Sequence, residues 1–157
     1  MCNNEIMKCA IVGLIRGYDF WFRYKLLIKR NKLIHQNFNY KYNYPLILFH
    51  EGDVKLKHQK KIKALTPNIK FVYVKDFHAL PKVNYNFFKR IIRIVLKRIF
   101  KISYEDSLNG YKNMCLFYAF KIFDYVKEYD YYWRLDEDGL LINPLSYDPF
   151  VYLKRKK

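Results

Sequence analysis

Three consecutive carboxylates, Asp136-Glu137-Asp138, follow the aromatic run Tyr131-Tyr132-Trp133-Arg134-Leu135 and are closed by Gly139. An apolar strand that breaks into acid gathers oxygen ligands at a strand end, and oxygen is what hard cations take. Where strand pairing persists, residues two apart share one face, so Asp136 and Asp138 converge and Glu137 points away. Such an Asp-x-Asp suits Mg²⁺ or Mn²⁺ bridging a diphosphate and stabilising charge on the departing phosphate. The competing reading is a solvated acidic turn. Arg16, which with Gly17 ends an apolar run, is a second candidate. A guanidinium at a strand's carboxyl end can pair with a nucleotide phosphate through its planar fork, and a solvated arginine is the alternative. Arg134, inside the aromatic run, reads as a structural partner of Asp130 or Asp136.

Other reactive side chains form no constellation. His35, His50, His58 and His78 are too scattered for a metal cluster, and read as surface or core histidines. Cys2, Cys9 and Cys115 are odd in number and lack metal spacing, which argues against a disulfide framework or a zinc site. Cys115 reads as packing on an apolar helical face. No GxGxxG, P-loop lysine motif or GxSxG elbow occurs, so dinucleotide oxidoreductase, P-loop NTPase and α/β-hydrolase readings lack motif support.

The elements that must carry these residues alternate. Lys8 to Ile15 is a buried strand ending in a turn at Arg16-Gly17, and Asp19 then caps a helix carrying Phe22, Leu26, Ile28 and Leu33. Pro45 opens a second strand, Leu46 to Phe49; Asp53 caps the basic helix after it, which ends before Pro67. Ile69 to Val74 is a third strand. Strands separated by helix-length segments imply right-handed βαβ crossovers in an α/β, mostly parallel sheet, whose ligands bind beyond the strands' carboxyl ends. A basic amphipathic helix is expected over residues 85–102, with Lys89, Arg93, Lys97 and Lys101 in an i, i+4 row. A further helix is expected from about Leu108 to Val126, with Met114, Phe117, Tyr118 and Ile122 facing inward, and residues 151–157 form a basic tail.

The 157 residues suit one domain, 1–157, and the 52% hydrophobic and 20% aromatic content argues against disorder. Thirty Lys and Arg against 14 acids give a charge of +16, a field that attracts phosphate-rich partners of any kind. Without a basic-aromatic RNA motif or a zinc finger, nucleic acid is the weaker partner reading. No signal peptide and no apolar run of roughly 18 residues is visible, so the expectation is a soluble or peripheral chain. Helix 85–102 offers a peripheral contact to anionic membrane, with a solvated basic face as its alternative.

Three blocks, Tyr111-Lys-Asn-Met114-Cys115-Leu-Phe117, Tyr129-Asp130-Tyr131-Tyr132-Trp133-Arg134 and Tyr147-Asp148-Pro149-Phe150, resemble in order the signatures of the fungal-type α-1,2-mannosyltransferases, glycosyltransferase family 15. Upstream, Ala10 to Arg16 is similar to that family's first strand and nucleotide-side arginine. Tyr44-Pro45 through Phe49 and Lys61 to Thr66 are similar to its second strand and following helix. The resemblance covers roughly residues 8 to 150. It implies a GT-A, Rossmann-like fold that binds GDP-mannose or another nucleotide-sugar with Mn²⁺ or Mg²⁺. It also implies mannose transfer, with retention of configuration, to a glycan or glycoprotein. Tyr111 matches a family tyrosine beside the nucleotide-sugar, with a core-packed tyrosine as its alternative.

The chain also departs from that pattern. The family follows its arginine strand with Glu-Pro and then commonly a second acid; here Asp136 stands one methylene shorter and the proline is gone. Relatives, anchored in Golgi membranes, continue past the Tyr-Asp-Pro-Phe block into a half supplying a metal-binding histidine, a carboxylate near the sugar and much of the acceptor site. Seven residues follow Phe150 here, so the resemblance implies a donor half cut short after the metal-binding motif. Two further readings stand beside a minimal transferase: a non-catalytic donor-half domain binding a nucleotide or a partner chain, and a basic nucleic-acid-binding protein.

Overall fold

A computed structural model describes residues 7–75 and 111–156. The chain divides into two compact units, Met1–Lys75 with Val126–Lys157, and Asp76–Tyr125.

Among the described residues of the first unit, four strands form one sheet: β1 (Cys9–Leu14), β2 (Leu46–His50), β3 (Ile69–Tyr73) and β4 (Tyr131–Arg134). Their order is β3-β2-β1-β4 and every pairing is parallel, with Ile11 opposite both Leu46 and Trp133 and Leu48 opposite Phe71. Near-continuous apolar runs make the two central strands β1 and β2, buried on both faces, whereas the outer β3 and β4 are partly buried and carry Lys70 and Arg134. Ile11, Leu46 and Leu48 join the core on one face, and Ala10, Val12, Ile47 and Phe49 are buried on the other.

Helix α1 (Lys25–Ile34) follows a 3₁₀ turn, Trp21–Tyr24, and runs into a π turn, His35–Asn39. Its buried face is Leu27, Arg30, Asn31 and Ile34, continued by Phe38; Phe22 and Leu26 are exposed. The expected face is therefore out of phase, because two of the inward positions are polar and a periodicity count assigns them to solvent. The Asn39 side chain both accepts from the Tyr44 amide and donates to the Tyr44 carbonyl, at 2.8 Å each, and so sets the entry of β2. Helix α2 (Leu56–Leu65) buries His58 and Ile62 and stops before Pro67, as the sequence predicts.

Neither expected cap forms. The Asp19 carboxylate takes the Lys55 ammonium at 2.8 Å, and Asp53 takes the Gly17 amide at 2.6 Å. Each acid reaches across to another loop instead of to its own helix.

The second unit is described over residues 111–125. The helix there runs on to 126 through a π turn, Phe117–Lys121, and α3 (Ile122–Val126). Phe117 and Ile122 are buried as expected and Met114 and Tyr118 half-buried, whereas Cys115 is exposed and does not pack. Asn113, one turn before Phe117, is buried on the same face. The expected helix 85–102 lies outside the described residues. Among those described, no helix is long and apolar enough to cross a membrane.

The Tyr-Asp-Pro-Phe block is a structural staple. Asp148 accepts the Tyr44 hydroxyl at 2.6 Å and the Phe150 amide at 2.9 Å, which caps α4 (Pro149–Lys156) in the manner of a helix N-cap. Phe150 meets the Tyr44 ring edge-on at 4.9 Å. Burial first, then the Asp148 carboxylate, raises the Tyr44 phenol; burial first and then Asp148 push the Cys9 thiol up to about 11. The segment after Phe150 that reads as a basic tail is, over residues 151–156, the exposed part of α4.

Candidate functional site

In the order β3-β2-β1-β4 the chain runs outward from β1 in both directions, so the gap between β1 and β4 is the switch point where open α/β sheets bind ligands beyond the strands' carboxyl ends. Two loops meet there. After β1 come Arg16, Gly17 and Tyr18; after β4 come Leu135 and the acidic turn.

Pairing of β4 with β1 ends at Arg134, and the Leu135 amide gives one more bond, to the Val12 carbonyl at 2.8 Å. A turn then closes when the Gly139 amide bonds the Asp136 carbonyl at 3.0 Å. The two-residue alternation of a strand therefore stops before the acids. Asp136 and Asp138 are exposed and Glu137, expected to point away, is the half-buried member. The Tyr18 hydroxyl donates to the Glu137 carboxylate at 3.4 Å, and the Arg16 backbone N–H also bonds to it. Burial raises the Glu137 carboxyl, against Arg30, the Tyr18 hydrogen bond and Arg16, all of which lower it. Asp136 forms a two-pronged pair with Arg134, at 2.9 and 3.1 Å, which is one of the two structural partners expected for that arginine. Both side chains are substantially solvated, so the pair contributes under about 1 kcal/mol.

The β1 loop is clamped from its other side. A Cβ at Gly17 would stand 2.2 Å from the Asp53 carbonyl oxygen, so only glycine lets the two loops close. The Tyr18 amide bonds the Tyr24 hydroxyl at 2.9 Å, and the Arg23 guanidinium lies over the Tyr18 ring at 5.0 Å. Arg16 is thereby exposed at a fixed place at the carboxyl end of β1, with its backbone tied to the acidic turn. Of the four site residues expected from sequence, Arg16, Asp136 and Asp138 lie on these two adjoining loops. Tyr111 lies on the second unit and is 63% exposed. Tyr18 and Arg30 were not singled out by sequence reasoning, and Glu137 was named in the acidic triplet but expected to point away; of the first two, only Tyr18, directly after Arg16-Gly17, carried a signal.

The turn offers carboxylate oxygens from Asp136 and Asp138. Among the described residues no group of three or more His, Cys, Asp or Glu side chains could hold a metal alone. Arg134 holds both Asp136 oxygens, so a cation there would have to displace that guanidinium; with it displaced the donor set would suit an ion that keeps several waters and takes its remaining ligands from a nucleotide phosphate, as Mg²⁺ and similar ions do.

His50 and His58 are buried and structural. The Gly52 amide donates to His50 Nδ1 at 3.0 Å, and the His58 ring packs against Tyr24 at 5.2 Å. Burial lowers both imidazoles from their ordinary value. An imidazole whose folded pKa lies below its unfolded value of about 6.5 binds its proton more readily in the unfolded chain. Stability from these groups is therefore full above about pH 6.5 and is lost as pH falls through the lowered folded values. We expect a higher melting temperature at pH 7.5 than at pH 5.5, and a His50→Gln variant whose melting temperature changes less between the two. An equal pH dependence in parent and variant would remove His50 from this account.

Comparison with known proteins bears on the whole arrangement. The family model described as glycolipid 2-alpha-mannosyltransferase matches residues 4–157. The α-1,2 mannosyltransferase KTR1 of Saccharomyces cerevisiae is 26% identical over 161 residues, covering 96% of this chain and 38% of that protein. Glycolipid 2-alpha-mannosyltransferase 1 of Candida albicans is 25% identical over 155 residues, covering 96% and 35%. Among solved structures, core-mannan synthase A of Aspergillus fumigatus, in an Mn/GDP form, matches with a TM-score of 0.69 at 24% identity, over 99% of this chain and 41% of that one. The mannosyltransferase Ktr4p of S. cerevisiae in complex with GDP matches with a TM-score of 0.69 at 18% identity, over 96% and 38%. These structural likenesses show the fold. The chain spans less than two-fifths of the length of the curated relatives named here.

Proposed function

Because the chain belongs to the glycolipid 2-alpha-mannosyltransferase family, we propose that its first unit binds the donor of a mannosyl transfer, GDP-mannose, over the carboxyl ends of β1 and β4. The acceptor is a hydroxyl of a glycan or glycoprotein. The observation that carries this reading is the meeting of the Arg16 loop with the acidic turn at the sheet's switch point, tied through Tyr18 and Glu137. In this proposal Asp136 and Asp138 hold Mn²⁺ or Mg²⁺, and the guanidinium of Arg16 takes a phosphate oxygen by charge-assisted hydrogen bonds. A divalent cation there supplies neutralisation of the charge that builds on the leaving diphosphate. The GDP present in the Ktr4p structure and the Mn/GDP form of core-mannan synthase A support this donor and cation. Tyr111 enters on its motif alone, as a stacking surface and phenolic donor for the nucleotide-sugar.

Calorimetric titration of GDP into the chain tests the proposal. Binding that requires Mn²⁺ or Mg²⁺ is expected. Binding indifferent to metal, but lost steeply with added salt, would instead mark a generic phosphate-attracting surface.

A further inference from the structure

We infer that Arg30 is a positioning residue whose buried guanidinium holds the acidic turn in place. The observation is an unusual one: a fully buried arginine on α1, a helix whose other charged residues are exposed. Removing a charge from water costs several kcal/mol unless hydrogen bonds replace its hydration, so the partners of such a group identify its role. One of them is local: Asn31 Oδ1 accepts from Nε at 3.1 Å and from Nη2 at 2.8 Å. Two more are distant in sequence. Nη1 donates to the Leu135 carbonyl at 2.9 Å and to the Asp136 carbonyl at 3.1 Å. These carbonyls lie just past the last β1–β4 ladder bond, where the sheet no longer pins the chain. The fork of Arg30 thus extends the register of β4 by side-chain means, and Asp136 leaves the sheet from a fixed peptide.

Gly13 makes the space. A Cβ there would lie 2.8 Å from Arg30 Nη1 and 2.8 Å from the Leu135 oxygen. Strand β1, helix α1 and the loop after β4 therefore converge on one guanidinium. A lysine cannot reproduce this, because its single ammonium has no fixed fork to span successive carbonyls while keeping Asn31.

The role rests on the proposed cation site at Asp136, and titration of the full chain with Mn²⁺ tests it. Arg30→Met is expected to weaken Mn²⁺ binding about tenfold, in the range seen when an outer-shell partner is lost, and Arg30→Lys to fall between it and the parent. Asp136→Asn should cost less in the Arg30→Met background than in the parent. Parent-like Mn²⁺ affinity in Arg30→Met would overturn the inference. Should Arg30→Met fail to fold, hydrogen exchange of Arg30→Lys decides. Faster exchange confined to amides 135–139, with β1 unchanged, supports the role, and parent-like exchange there overturns it. If Asp136→Asn leaves Mn²⁺ binding intact in the parent, the cation site is wrong, and the exchange measurement still reports whether Arg30 holds the turn.

Discussion

Replacing Asp136 and Asp138 together with asparagine is expected to weaken Mn²⁺-dependent GDP binding by more than about a hundredfold, beyond the ten- to hundredfold typical of losing an outer-shell partner. Asparagine keeps the size and one oxygen of each side chain but removes the charge that holds a hard cation. The fold should not notice. Both side chains are exposed, and surface substitutions of this kind usually stay within about 0.5 kcal/mol, with the Arg134 pair adding under about 1 kcal/mol. Calorimetry with and without metal, beside a urea melt, separates the two effects. A double variant that binds GDP and Mn²⁺ like the parent would place the nucleotide away from the acidic turn.

The second large effect is expected at Phe38. Its ring is 1% exposed and stands between Trp133, edge-on at 5.6 Å, Tyr42 at 5.0 Å and Tyr44 at 6.1 Å. Through these contacts it joins the end of α1 to β4 and to the entry of β2. Truncation to alanine removes the buried ring and leaves a cavity that rings on three sides cannot fill, so a loss of about 3–5 kcal/mol is expected. Urea unfolding measures it. A loss under about 1 kcal/mol would mean that the aromatic cluster collapses onto the gap and is not the rigid support described here.

Strand positions were legible in the sequence because β1 and β2 are nearly continuous apolar runs and β3 and β4 are rich in aromatic and β-branched residues, and the βαβ rhythm followed from their spacing. The face of α1 was not. Arg30 and Asn31 occupy two inward positions, and an apolar periodicity cannot see a buried guanidinium whose partners lie about a hundred residues away. Asp19 and Asp53 failed as caps for a related reason: a carboxylate before a helix is a local signal, and both acids found partners on other loops. At the site, Arg16 and the two aspartates were visible as residue types at strand ends. Their arrangement was not, since the alternation rule assumes a ladder that stops at Arg134. The burial of Glu137 follows from the turn beyond it. Cys115 lies between the buried Asn113 and Phe117 and is exposed, and its apolar character alone could not reveal that the inward face there includes an asparagine.

The placement of β1 between β2 and β4 sets an order of events during synthesis. Strands β1, β2 and β3 can assemble once residue 73 has left the ribosome, but the other edge of β1 waits for β4, roughly sixty residues later. At about 5–20 residues per second that interval lasts several seconds. Throughout it, the most apolar strand of the sheet presents unpaired backbone groups to any neighbouring nascent chain, which is the hazard of an open edge. The stretch translated in that interval, from Phe77 to Tyr104, carries seven Lys and Arg and no acid. Charge of one sign next to such an open edge is one of the features that disfavour edge-to-edge pairing.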